Sequence, residues 1–260
     1  MTTPNRELRL RIARMVRESG EGHIPSSFSI VDIIHELYSH VLRVDSTNLE
    51  WVDRDFFILS KGHGAAALYV VLREQGFLSE QDLESYGSRT GILGGHPDVT
   101  TVPGAEASTG SLGHGFPTAI GTALGLRILK RSNRVFCLVG DGECHEGTIW
   151  ESANVAANLR LGNLCVIVDW NGSAAQLMPI DDLPAKWRAF GWRVHEVDGN
   201  SPEELTSLFA SIEFDASGQP MAVVARTTKG SGVSFMEGHG RWHHRIPDDD
   251  EWQAIQRELA

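Results

Sequence analysis

Two residues with oxygen-bearing side chains, Asp141 and Asn171, stand thirty positions apart in the stretch VGDGECHEGTIWESANVAANLRLGNLCVIVDWNG, each with glycine beside it. Each closes an apolar, strand-like run, RVFCLV before Asp141 and LCVIVDW before Asn171. In an open parallel sheet, ligands gather beyond the carboxyl ends of the strands, so both residues fall on that rim. A carboxylate, an amide oxygen and a nearby backbone carbonyl are hard donors suited to Mg2+ or Ca2+, and a cation so held can also grip a diphosphate. Gly140 and Gly142 would let the backbone approach such a ligand closely, and the helix expected after Glu143 offers its positive N-terminal end. The same residues also suit a pair of turn-forming side chains at strand ends, and spacing alone leaves both possibilities open.

Histidines give a second set. His23, His63, His96 and His114 lie in the glycine-flanked turns GHIPSS, KGHGA, GGHPD and LGHGF, and His243 and His244 are adjacent in GRWHHRIP. Histidines placed repeatedly in loops fit ligand contact or proton transfer better than core packing. The spacing of His239, His243 and His244 could hold zinc, but no cysteine or carboxylate pattern supports it. No GxxxxGK[ST] occurs and no GxGxxG follows a strand, which removes the commonest nucleotide sites.

The elements that must position these residues alternate. The expected strands are RDFFILS, RVFCLVG, LCVIVDW, WRVHEVDG and PMAVVART; the expected helices between them are AAALYVVLREQG, EQDLESYG, FPTAIGTALGLRILKRS, GTIWESANVAANLR, LPAKWRAFG and PEELTSLFASIE. Apolar strands alternating with helices predict an α/β fold, a mostly parallel sheet with helices on both faces. Two helices precede the first strand: the amphipathic RELRLRIARMVRES, and SIVDIIHELYSHVL, where Ser29 and Asp32 have capping-box spacing. The stretch from Ser88 to Gly115 is too long and glycine-rich for a plain connection and is expected to be a functional loop. One domain over 1–235 is expected, with 236–260 as a C-terminal extension packing on it through Trp252, Ile255 and Leu259.

Bulk composition narrows the function. The 260 residues carry 34 acidic against 23 basic side chains, a net charge of −11, which argues against a broad grip on nucleic acid or anionic membrane. The longest apolar run is too short to span a bilayer. Three cysteines without a CxxC pair fit a reducing, cytoplasmic setting.

Six further motifs stand in one order: GHIPSSFSIVDIIHELY, DFFILSKGHGAAALY, GGHPD, STGSLGHG, WRAFGWRVHEVDGN and TTKGSGVSFMEGHGRWHH. With the GDG…N stretch, they resemble the transketolase family over nearly the whole chain. The resemblance implies the thiamine-diphosphate-binding fold, in its diphosphate-binding domain, with thiamine diphosphate and Mg2+ as cofactors (Ca2+ or Mn2+ as substitutes). It implies Asp141, Asn171 and the backbone carbonyl of Ser173 as metal ligands, and Gly142 as an N–H donor to the diphosphate. Ser26, His63, Gly110, Leu112, Glu143, Lys229 and His243 match cofactor-contacting positions. His23, His63, His96 and His243 match histidines lining the substrate channel, and Glu146 matches a glutamate of a proton relay across the subunit interface.

The family's pyrimidine-binding domain, which supplies the activating glutamate, does not follow in this sequence. The chain therefore resembles the N-terminal subunit of a split transketolase, expected to act as an α2β2 assembly with a separate C-terminal subunit. It would pass a two-carbon ketol unit from a ketose or ketose phosphate to an aldose. The alternatives are an α subunit of a 2-oxo-acid dehydrogenase and a non-catalytic thiamine-diphosphate-binding subunit; the SKGHG and GGHPD motifs disfavour the first, and retention of Asp141, Glu146 and Asn171 the second. Ile24, His114 and the segment NGSAAQLMPID depart from the family pattern near the cofactor and channel, which points to a sugar other than the usual pentose phosphates.

Overall fold

The computed structural model describes residues 5–176, 178–238, 240 and 242–260. Ten helices are described: α1 (Arg6–Ser19), α2 (Ile24–Phe28), α3 (Val31–Glu36), α4 (Ala65–Glu74), α5 (Glu80–Glu84), α6 (Gly115–Ile128), α7 (Gly147–Asn158), α8 (Leu183–Ala189), α9 (Pro202–Ser211) and α10 (Asp249–Glu258). Five strands, β1 (Phe56–Leu59), β2 (Val135–Gly140), β3 (Leu164–Trp170), β4 (Arg193–Asp198) and β5 (Met221–Arg226), pair in the order β1-β2-β3-β5-β4. Every pair is parallel. The strands fall where the apolar runs predict them.

Handedness explains which face each helix covers. The steps β1 to β2, β2 to β3 and β3 to β4 all run the same way across the sheet, and their helices α6, α7 and α8 share one face with Cys137, Val139, Val166, Val168 and Val224. The step from β4 back to β5 reverses, and α9 lies on the other face with Phe136, Leu138, Ile167 and Val223. Right-handed crossovers require that switch. Helices α1 to α4 and α10 complete the second face, where Ile255 and Leu259 of the tail join the core. At the amino ends of β1 and β2, buried Asp55 clips the two together, accepting from Arg43 Nη2 at 2.8 Å and Arg134 Nη2 at 2.6 Å.

Two local expectations are corrected. Ser29 and Asp32 form no capping box: α3 starts at Val31 without a side-chain cap. Ser29 Oγ donates instead to Asp169 at 2.9 Å, and Asp32 pairs with Arg9 at 2.7 Å. Satisfying buried charge outweighs a helix cap worth ~1 kcal/mol. The helix expected directly after Glu143 begins at Gly147; Glu143–His145 form one tight helical turn, so that turn, rather than α7, follows Gly142.

The carboxyl ends of β1, β2, β3 and β5 open on one rim, which carries Ser60–Gly64, Asp141–Glu143, Asn171–Ser173 and Thr227–Lys229. The long loop before α6 lies over it. Thr109 Oγ1 donates to the Leu59 carbonyl at 2.7 Å, and the Gly113 N–H donates to Glu143 Oε1 at 2.8 Å.

Candidate active site

Asp141 is held by the sheet itself, its N–H donating to the Asp169 carbonyl at 3.0 Å. Its side chain is buried, and Oδ1 accepts the Gly142 N–H at 2.7 Å. Burial, then the negative field of Asp169, raises its carboxyl above the ordinary range, against the pull of the Gly142 N–H and Lys61. A carboxylate so placed is short of positive charge, which a divalent cation would supply.

Asn171 completes the donor set. Its amide nitrogen donates to Asp169 Oδ2 at 2.9 Å, so its amide oxygen faces the other way, where the Ser173 N–H meets it at 2.9 Å. Ser173 Oγ is buried without a hydrogen-bond partner among the described residues. A carboxylate, an amide oxygen and a turn with an unpaired hydroxyl fit a hard cation. Among the described residues no three His, Cys, Asp or Glu side chains converge on a metal position; His239, and Leu177 of the departing segment, lie outside the described residues.

Beneath these two lies a buried ion pair that the motifs did not single out. The Asp169 carboxylate accepts from Lys61 Nζ, from Thr227 Oγ1, and from Ser29 and Asn171. Lys61 Nζ also reaches the Ser26 carbonyl at 3.3 Å, tying α2 to the rim. A signal was available in the sequence: an aspartate facing inward from the apolar run LCVIVDW must have a partner. Glu143, expected against the cofactor, is turned inward. It accepts from Ser60 Oγ at 2.5 Å, Gly113 N at 2.8 Å and Gly140 N at 3.2 Å, and so braces the rim loops.

Opposite the carboxylates stands Lys229, 6% exposed. Its Nζ lies 3.0 Å from His243 Nδ1. Burial, then the charge of Lys61, lowers its pKa, while Asp141 and Asp169 oppose the shift. With no carboxylate bonded to it among the described residues, this ammonium can receive an anion. Its loop is anchored from far away in sequence: the Thr228 N–H donates to Asn200 Oδ1 at 2.7 Å, Asn200 donates to Asp32 at 3.1 Å, and Arg9 joins Asp32 to the Ser231 carbonyl.

The histidines converge beside that lysine. The His23 ring lies 5.3 Å from His63, 5.2 Å from His243 and 4.7 Å from His244, centre to centre. Burial and the neighbouring imidazoles hold His23 down at about 4. Burial and Lys61 press His63 far down, and burial and Lys229 lower His243. All three are neutral near pH 7. His96 adjoins the cluster, packed against Gly110: a Cβ on that glycine would come within 2.8 Å of the His96 ring. Gly110 also has φ 142°, so glycine is needed there on both counts. Ser26 is buried below His23 in α2, with Ile24. Glu146, Leu112 and His114 are exposed on the outer side of the rim, Glu146 standing over Gly113.

The rim thus sets a cation position next to an ammonium, with neutral acid–base groups beyond. Such a site suits a metal-bound diphosphate at one end and a hydroxylated substrate at the other.

Known proteins agree with this geometry. The family profile described as "Transketolase, thiamine diphosphate binding domain" matches residues 5–260. One of the two subunits of an apulose-4-phosphate transketolase from Actinobacillus succinogenes is 40% identical over 243 residues, 92% of this chain and 87% of that one. The 6-deoxy-6-sulfo-D-fructose transketolase subunit SqwG from a Clostridium species is 36% identical over 245 residues, 92% of this chain and 89% of that one. The crystal structure of transketolase from Campylobacter jejuni matches with a TM-score of 0.89 at 27% identity, over 97% of this chain but 41% of that one. This chain therefore spans about two fifths of the solved transketolase, and its match runs over most of both subunit-length relatives.

Proposed function

Because the chain belongs to the transketolase family, through the thiamine diphosphate binding domain that covers nearly all of it, we propose that it is the diphosphate-holding subunit of a two-component transketolase. Support for two components is the near full-length match to proteins that are themselves named as transketolase subunits. A separate pyrimidine-binding subunit would complete the site, in an α2β2 assembly in the cytoplasm. Exposed Glu146 and Leu112 beside the rim face the side that such a partner would cover. Residues 236–260 belong with the same domain, since Trp242, Ile255 and Leu259 enter its core.

When bound, thiamine diphosphate supplies the nucleophilic carbon and the electron sink of two-carbon transfer. This chain's own residues do the rest. Asp141, Asn171 and the Ser173 carbonyl would hold Mg2+, with Ca2+ or Mn2+ as substitutes. Gly142 N–H and Lys229 would take the phosphate oxygens; Ser26, His63 and Gly110 would line the cofactor cleft, and Glu143 would brace it. His23, His63, His96 and His243 would bind substrate hydroxyls and pass protons, and Glu146 would join a relay to the partner.

The substrate proposed is a ketose or ketose phosphate donor with an aldose acceptor. The two relatives are named for apulose-4-phosphate and 6-deoxy-6-sulfo-D-fructose, which supports a sugar outside the common pentose phosphates. One observation carries the assignment: Asp141 and Asn171 lie on one rim with Lys229 and the histidines. Calorimetric titration of thiamine diphosphate into the assembled protein tests it. Binding is expected only with a divalent cation, and Asp141→Ala is expected to weaken it more than about 100-fold. Cation-independent binding, or unchanged affinity in the variant, contradicts it.

A further inference from the structure

Two hydrogen bonds fix the protons of the histidine cluster. His23 Nδ1 lies 2.9 Å from the backbone carbonyl oxygen of His243. A carbonyl can only accept, so Nδ1 of His23 must carry the hydrogen. The neutral ring then has a bare Nε2, an acceptor. His243 Nδ1 lies 3.0 Å from Lys229 Nζ. An ammonium can only donate, and Asp141 and Asp169 favour the charged form of Lys229. Nδ1 of His243 must therefore be bare, and its hydrogen sits on Nε2. The two rings, 5.2 Å apart, hold opposite tautomers.

We propose that Lys229 and the His243 carbonyl lock His23 and His243 in opposite tautomers, so that the channel presents one imidazole acceptor and one imidazole donor side by side. Resting on the ketol-transfer assignment, this divides the work. His23 Nε2 accepts the hydrogen bond of a substrate hydroxyl, and His243 Nε2–H donates to a substrate oxygen, either a carbonyl or a neighbouring hydroxyl. An α-hydroxy ketone or a vicinal diol satisfies both at once. A ligand with only acceptors on that edge, such as a carboxylate, would face the bare nitrogen of His23 and be disfavoured. Lys229 acts on His243 as a positioning residue, in addition to receiving an anion. The sequence placed all three residues near one site but could not assign the protons, because the bonds join positions 14 and 220 residues apart.

His244 is the internal control. Its ring is the nearest to His23 at 4.7 Å, yet among the described residues no hydrogen bond fixes either of its nitrogens. Solid-state 15N spectra of the histidine-labelled full chain assembled with its partner, assigned by His23→Gln and His243→Gln difference spectra, read the tautomers without any turnover. The expected result is a protonated Nδ1 on His23, a protonated Nε2 on His243, and loss of the single His243 form in Lys229→Met with His23 unchanged. A hydrogen on Nε2 of His23 or on Nδ1 of His243 overturns the proposal. So does a His243 signal that Lys229→Met leaves unaltered. Because no catalysis is read, absence of ketol transfer would count against the functional assignment alone and leave the tautomers to be judged on the spectra.

Discussion

At the scale of single residues, the site is a set of charges and imidazoles whose environments oppose their ordinary ionisation. Asp141 is raised, Lys229 lowered, and His23 held at about 4. The first two are arranged to gain from a metal-bound diphosphate; the third has a consequence for the fold. A histidine whose folded pKa lies below its unfolded value of 6.5 is protonated first in the unfolded chain, so stability is lost as pH falls from about 6.5 towards 4. His63 and His243 shift the same way and add to the slope. Urea unfolding across that window is expected to show a falling midpoint, and His23→Gln is expected to flatten part of the fall. A midpoint independent of pH in both proteins would refute the neutral cluster. Asp141, Asn171 and the loop histidines were legible in the sequence, because glycine-flanked polar residues at strand ends are visible in one dimension. Lys61 and Asp169 were not, since their pairing spans 108 positions and is created by the parallel sheet.

At the scale of elements, distant segments hold the rim in place. Arg9 of α1 and Asp32 of α3 are both fully buried, and through Asn200 they anchor the loop that carries Lys229. Removing one charge strands the other in the interior, which costs about 3–5 kcal/mol, whereas replacing both with apolar residues costs far less. Arg9→Met alone is expected to lower unfolding free energy by about that amount, and Arg9→Met with Asp32→Leu to recover most of it. Additive losses in urea titrations would show that the two do not form a unit. All five strands and the main helices were readable from apolar periodicity. The missing cap on α3 was not, because Ser29 and Asp32 are drawn to partners on β3 and α1 that only the tertiary fold supplies.

At the scale of the whole molecule, the sheet order and crossover hands leave one open rim, and the candidate chemistry stands on it. In the proposed function that rim holds a diphosphate and presents histidines to a sugar, while activation of the cofactor's ring falls to another chain. The central claim is therefore about assembly, and reconstitution tests it most directly. Ketol transfer from a panel of ketoses and ketose phosphates to aldose acceptors is measured with thiamine diphosphate and Mg2+, for this chain by itself, for the pyrimidine-binding partner by itself, and for the two mixed. Activity is expected only in the mixture, and not when Asp141→Ala replaces the native chain. Turnover by this chain on its own, or a mixed complex that binds thiamine diphosphate yet transfers no ketol unit from any donor, would contradict it.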